Sequence, residues 1–171
     1  VVASTAALDF EAQPTFSLGV RVTDNGEPAK SDTATVTITV GDVNEQPSFT
    51  LSSYSLSVSE SAEIGTSVGA ALTATDPDNL QTLVFSILPP TSGLDGTAFF
   101  DVGALTGQVT LKKAVDYEAM SSPFKYFFRV QVKDNHGSPL TAVTTVEVAV
   151  TNANEPPSVT AGQTRSIPEG S

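Results

Sequence analysis

The sequence predicts an all-β protein built from tandem seven-strand Greek-key β-sandwiches, on three observations. Val, Thr and Ser dominate while Cys and Trp are absent, and scattered Gly and Pro punctuate the chain, a composition that suits β-branched strands separated by turns. Several short runs alternate apolar with polar residues, the period of a half-buried strand. Blocks of sequence also return after a fixed interval, which marks an array of similar units.

The repeat divides the chain. Leu8-Asp9-Phe10-Glu11 returns as Val115-Asp116-Tyr117-Glu118, and Val20 to Gly26 returns as Val130 to Gly137. Val40-Gly41-Asp42-Val43-Asn44-Glu45-Gln46-Pro47-Ser48 returns as Val150-Thr151-Asn152-Ala153-Asn154-Glu155-Pro156-Pro157-Ser158, and Val58-Ser59-Glu60-Ser61 as Ile167-Pro168-Glu169-Gly170. The interval matches a sandwich domain of about 100 residues. Residues 1–46 are therefore expected to be the C-terminal part of one repeat, 47–156 a complete repeat and 157–171 the start of a third, within a longer parent protein.

Within the complete repeat, seven strands are expected. They are Tyr54 to Ser59, Val68 to Thr75, Thr82 to Leu88, Ala98 to Val102, Gln108 to Lys112, Phe124 to Lys133 and Ala142 to Thr151. In the sixth, Phe128, Val130 and Val132 alternate with Phe127, Arg129, Gln131 and Lys133, which turns one apolar face inward. Val146, Val148 and Val150 do the same in the seventh. Alternation on seven antiparallel strands implies two packed sheets. The Pro89 to Gly96 stretch, rich in Pro and Gly, is expected to be an exposed loop.

Charge narrows the partners. With 19 Asp and Glu against 8 Lys and Arg, the net charge is −11, so nucleic acid and anionic membrane surfaces are repelled and cations are favoured. No apolar run approaches the roughly eighteen residues of a membrane-spanning helix. Membrane attachment is thus expected only through parts outside this sequence. No Asn-x-Ser/Thr acceptor for N-glycosylation occurs.

The acids gather at strand ends and between repeats. In a sandwich, the loop at Asp76 and the end of the sixth strand share the pole at which the domain begins. Asp9 and Glu11 occupy the facing pole of the preceding repeat. Asp9, Glu11, Asp42, Glu45, Asp76, Asp78 and Asp134 then converge on one joint. Two unit charges 4 Å apart at an effective dielectric of about 20 repel by about 4 kcal/mol, so such a cluster calls for a cation. Calcium suits it, because it takes six to eight oxygens from carboxylates, Asn side chains and carbonyls. Zinc does not, with no Cys and the single His136. Magnesium prefers strict octahedral geometry with retained waters. Taken singly, an Asp-x-Asp is more often a capped turn than a ligand. Bland turns, however, need not supply acids from both sides of one joint.

As a set these motifs resemble the cadherin repeat. Glu60 matches the family's first-strand Glu, and Asp9-Phe10-Glu11 and Asp116-Tyr117-Glu118 match its DRE-type triplet. Asp42-Val43-Asn44-Glu45-Gln46 matches the DxNDN joint, Asp76-Pro77-Asp78 the DxD pair, and Asp134 the Asp ending the sixth strand. The resemblance implies three calcium ions at the first joint. Asp9, Glu11 and Glu45 would hold the outermost. Glu11, Asp42, the Val43 carbonyl, Glu45 and Asp78 would hold the middle one. Asn44, the Gln46 carbonyl, Asp76, Asp78 and Asp134 would hold the third. A second joint would use Glu60, Asp116, Glu118, Asn154 and Glu155, more weakly, because Asn152 replaces an Asp and Pro156 takes the last position. Asp24 and Glu169, placed like Asp134 and Glu60, would serve joints upstream and downstream.

The function expected from this resemblance is a calcium-rigidified extracellular repeat array for cell adhesion or surface scaffolding, on the cell surface or secreted. Its partners would be calcium and other repeats, in the same chain, in trans or in a filament. The absence of Trp excludes the family's strand-swapping tip and favours an internal spacer. An enzyme is not expected, since the lone His136 lies in the turn Asn135-His136-Gly137 and no nucleophile and base pair with it. The alternatives are a carbohydrate-binding or spacer module of a secreted enzyme, or a filament subunit. Tyr54, Tyr117 and Tyr126 form no evident platform for a sugar.

Overall fold

A computed structural model describes residues 8–78, 81–157 and 162. The chain opens with a hairpin of β1 (Thr15–Thr23) and β2 (Ser31–Thr39). The sandwich follows. Its elements are β3 (Ser48–Phe49), β4 (Ser53–Ser59), β5 (Ala74–Thr75), β6 (Val84–Leu88), β7 (Leu94–Asp95), β8 (Phe100–Val102), β9 (Val109–Leu111), β10 (Lys125–Lys133) and β11 (Thr141–Thr151).

One sheet runs β4-β11-β10-β6, with β7 also beside β10. The opposing layer is built from the pairs β3-β5 and β8-β9. β10 alternates buried and half-buried residues along its length, as its sequence requires. Phe128, Val130 and Val132 from β10 and Val146 and Val148 from β11 are wholly inaccessible to solvent. They pack against Phe100, Leu72, Val68, Val109 and Leu111 of the other layer. The first strand of the repeat changes layer: β3 pairs antiparallel with β5, and four residues on β4 pairs parallel with β11.

Several expectations are revised, among them the all-antiparallel pairing, since β4 runs parallel to β11, and the start of the Thr82 to Leu88 strand, which is regular from Val84. Of the strand expected over Val68 to Thr75, only Ala74–Thr75 is regular. The Val68 and Leu72 amides instead donate to the Val109 and Gly107 carbonyls (2.9 Å each), with Gly69 between them at φ +66° interrupting the strand. Leu94-Asp95, expected as loop, forms β7 parallel to Tyr126–Phe127 of β10. Gly93, at φ +86°, allows it: a Cβ there would stand 2.3 Å from the Phe127 ring. Regular pairing also starts at Phe100 rather than Ala98, because the amides of Phe99 and Phe100 both turn back onto the Gly96 carbonyl.

The β1-β2 hairpin reproduces β10-β11 at a spacing of 110. Thr15 lies opposite Thr39 and Lys125 opposite Ala149, and every pair of the first register returns 110 residues on in the second. The apolar face differs in burial. Leu18 and Val20 are 45% and 49% exposed, whereas Phe128 and Val130, 110 residues later, are 0% exposed.

Phe128→Ala should cost about 3–5 kcal/mol of stability, the usual loss for a buried aromatic truncated in a close-packed core. Urea unfolding followed by circular dichroism measures it. Gly107→Ala should also destabilise, because Gly107 sits at φ +64° and a Cβ would lie 2.2 Å from the Leu72 carbonyl oxygen, a backbone atom that cannot yield cheaply.

Candidate metal centre

The acids of the first joint are drawn together by three segments: the turn after residue 8, the extended linker 40–47 and the loop after β5. Carboxylate oxygens of Glu11, Asp42 and Asp78 lie within 4.8 Å of one another. Oxygens on opposite sides of a single Ca2+ stand about 4.6–5.2 Å apart, so the spacing fits one shared ion. The linker is tied to the loop through its backbone, for the Glu45 amide donates to Asp78 Oδ2 (2.8 Å). Asp78 itself is 7% exposed. Its own amide donates to Asp76 Oδ1 (3.0 Å), the short turn that sets the two acids side by side.

Glu45 carries the electrostatic signature of crowding. Burial, then the Glu11, Asp78 and Asp9 carboxylates, hold its pKa above the ordinary glutamate value. Asp76 is likewise raised, first by burial and then by the negative charges of Asp78 and Asp134, although the Asp78 amide opposes this. Asp76 Oδ2 is buried with no hydrogen-bond partner among the described residues. An orphaned acceptor amid like charges is the kind of site a hard, oxygen-seeking cation completes.

Asp134 behaves differently. It is 2% exposed, yet its pKa is lowered. Burial raises it, but donation from the Leu140 amide to Oδ2 (2.7 Å), from the His136 amide to Oδ1 (2.9 Å) and from Asn44 Nδ2 to Oδ2 (3.2 Å) outweighs that. These bonds close the turn between β10 and β11 around the carboxylate. Asp24 repeats the arrangement between β1 and β2, accepting from the Gly26 and Lys30 amides. Asp9 Oδ1 caps the Ala12 amide (2.9 Å) and faces Glu45 electrostatically. Val43 and Gln46 lie in the same linker, where Gln46 Nε2 donates to the Thr141 carbonyl (2.7 Å).

At the opposite pole Glu60, Asp116 and Glu118 form a second cluster within the same 4.8 Å. Glu60 accepts from the Ala153 amide (2.6 Å) and the Tyr117 amide (2.7 Å), which lower its pKa. Glu118 is raised by burial and then by Glu60 and Glu155, against its own backbone amide. Asn152 donates Nδ2 to Glu118 Oε1 (2.7 Å), supplying a neutral donor where a further carboxylate is lacking. Asn154 and Glu155 are exposed beside it. Glu169 lies outside the described residues.

Residues 54–151 match the cadherin domain family model, more than half of the chain. The chain belongs to the cadherin family. It is 32% identical over 151 residues to Protocadherin Fat 1 of Homo sapiens, covering 86% of this chain and 3% of that protein. The chain thus spans only a small part of the curated relatives it matches. Among solved structures, Protocadherin Gamma B2 extracellular cadherin domains 1-5 superposes with a TM-score of 0.75 at 28% identity, over 86% of this chain and 28% of the other. The Protocadherin gammaB7 EC3-6 cis-dimer structure gives 0.71 at 28% identity, over 84% and 35%.

This cadherin chain is therefore an all-β, non-catalytic module similar to the extracellular domains of protocadherins. Its tyrosines serve the fold. Tyr54 and Tyr126 are core residues, and Tyr117 stacks on Phe124 with ring centroids 4.3 Å apart, so they make no sugar platform. One contributor to the first joint escaped the sequence reading: Gln81, whose Nε2 donates to Asn44 Oδ1 (2.8 Å). Its position outside every acidic motif gave no signal.

Asp134→Ala should lower the stability of the calcium-free cadherin chain by about 1–3 kcal/mol, since it strands the amides of His136 and Leu140. Asp134→Asn, which keeps one acceptor oxygen, should lose less. Paired denaturant titrations in chelator measure the difference.

Proposed function

We propose that this chain is a piece of an extracellular cadherin array whose joints bind Ca2+ and are stiffened by it, serving adhesion or surface scaffolding as internal spacer repeats. In this reading residues 1–46 close one repeat, 47–156 form a complete one and 157–171 open a third. The observation that carries it is the meeting of Glu11, Asp42 and Asp78 oxygens from three chain segments within 4.8 Å. The identical hairpin register 110 residues apart supports the tandem division.

Bound calcium would supply positive charge that offsets the mutual repulsion of the facing carboxylates. Asp9, Glu11, Asp42, Glu45, Asp76, Asp78, Asn44 and Asp134, with the carbonyls of Val43 and Gln46, are the residues proposed to hold it at the first joint. Glu11 belongs to the turn beyond the linker and Asp78 to the sandwich, so both must stay in register for a shared ion. That coupling is what makes the joint stiff. Without a cation the same acids repel and the linker 40–47 becomes a hinge. At the second joint Glu60, Asp116, Glu118, Asn154 and Glu155 form a poorer site, with Asn152 neutral in place of an acid. Other repeats are the proposed partners, in the same chain, in trans or in a filament. The cis-dimer named for the gammaB7 relative makes lateral pairing one arrangement open to this chain. The proposed location is the cell surface or the secreted space.

Chelation should lower the melting temperature by on the order of 10 °C relative to calcium at a hundred times its dissociation constant, where linkage contributes about 2.7 kcal/mol. Small-angle scattering should show a wider spread of shapes in chelator. Identical scattering and melting in both buffers would rule the reading out.

Asp78→Asn should weaken calcium binding at the first joint by about tenfold or more, because it removes one charge from a buried residue shared by the middle and third proposed ions. Asp116→Asn should change only the weaker, second set of sites. Calorimetric titration separates the two.

A further inference from the structure

The first joint holds a pair of side-chain amides whose polarity suits the absence of a cation. Asn44 Nδ2 donates to Asp134 Oδ2 (3.2 Å) and, at 3.4 Å, to the Ser138 carbonyl. Asn44 Oδ1 accepts from Gln81 Nε2 (2.8 Å). Gln81 Oε1 is then buried with no partner among the described residues. Both amides line one cavity of about 720 Å³ together with Glu11, Asp42 and Asp78. The backbone next to Gln81 is fixed, since the Thr82 amide donates to Asn135 Oδ1 (2.9 Å).

A carboxylate and a cation ask opposite things of an amide between them. Asp134 alone attracts the NH2 end of Asn44, whereas a divalent cation held by Asp134 repels that end and attracts the oxygen. Reversal of Asn44 would bring Nδ2 against Gln81 Nε2, donor against donor. A side chain that both donates and accepts can follow, and Gln is one. We propose that Gln81 is a positioning residue for the cation: the two amides reverse together, Asn44 turning Oδ1 toward the Asp134 side while Gln81 Oε1 accepts from Asn44 Nδ2.

The reversal gives the orphaned Gln81 Oε1 a donor. It also turns Gln81 Nε2 to the side where Oε1 now has none. Against this stands the loss of both Asn44 Nδ2 bonds: the one to Asp134 Oδ2, which the cation's attraction for that carboxylate replaces, and the long, exposed one to the Ser138 carbonyl. Gln81 belongs to neither the joint motif nor the Asp76-Pro77-Asp78 pair, and this role rests on the calcium reading proposed above.

The test is calorimetric titration of the intact chain with calcium chloride, beside Gln81→Met and Gln81→Glu. Gln81→Met keeps the length but neither donates nor accepts, and should weaken one site of the first joint by roughly fivefold to tenfold, the equivalent of one hydrogen bond. Gln81→Glu retains an acceptor for Asn44 Nδ2 and should bind at least as tightly as the native chain. On adding calcium, the side-chain amide resonances of Asn44 and Gln81 should shift together in the native chain, and that of Asn44 should shift differently in Gln81→Met. Native-like affinity for Gln81→Met, or a loss in Gln81→Glu equal to that in Gln81→Met, would overturn the proposal while leaving calcium binding intact. A native chain that binds no calcium would overturn the calcium reading and this one with it. Matching melting temperatures of the three proteins in chelator would show that the affinities compare equally folded chains.

Discussion

The antiparallel pairing of β10 with β11 is the constraint on which the rest of this molecule depends. It sets Phe128, Val130, Val132, Val146 and Val148 on one face, which the opposing layer covers completely, and with a side-chain period of two a slip of one residue would turn all of them outward. Register fixed by burial also fixes the ends of the strands. β10 must finish beside Asp134 at one pole, and β11 must deliver Asn152 to Glu155 at the other. The acidic clusters stand at the poles because the core is in the middle.

The two poles solve the same electrostatic difficulty in different ways. At the second, Glu60 is satisfied by two backbone amides, and Asn152 brings a neutral donor to Glu118. At the first, Asp134 is held by three donors, while Glu45 and Asp76 are pushed toward protonation by burial and by their neighbours. Backbone amides stabilise single carboxylates at both poles, Asp134 within its turn and Glu60 across segments, but they do not neutralise a whole group of acids. That contrast leaves two acids with raised pKa values at the first joint, Glu45 and Asp76, against one, Glu118, at the second.

The exposed hairpin shows how little of a sandwich is local. β1 and β2 carry the same alternation and register as β10 and β11, yet Leu18, Val20, Val22, Val36 and Ile38 remain open to solvent among the described residues. Alternation states which face seeks burial. It does not supply the layer that covers it.

Much of this could be read from the residues in order. The two long strands of the hairpin, their inward faces and the grouping of acids at strand ends follow from local alternation and from a repeat long enough to be a domain. Asp9, Glu11, Asp42, Asp78 and Asp134 stand out in the sequence because each lies in a short motif that recurs or has a fixed spacing. The irregular path of 68–72, the pairing of Leu94–Asp95 with β10 and the contact of Gln81 with Asn44 were not legible. Each depends on a partner 30 or more residues away, and on room for a chain held at Gly69 or Gly93, so only the packed sandwich decides them. Sequence set which groups were available and which faces were apolar; the assembled layers alone determined which oxygens and amides came to face one another.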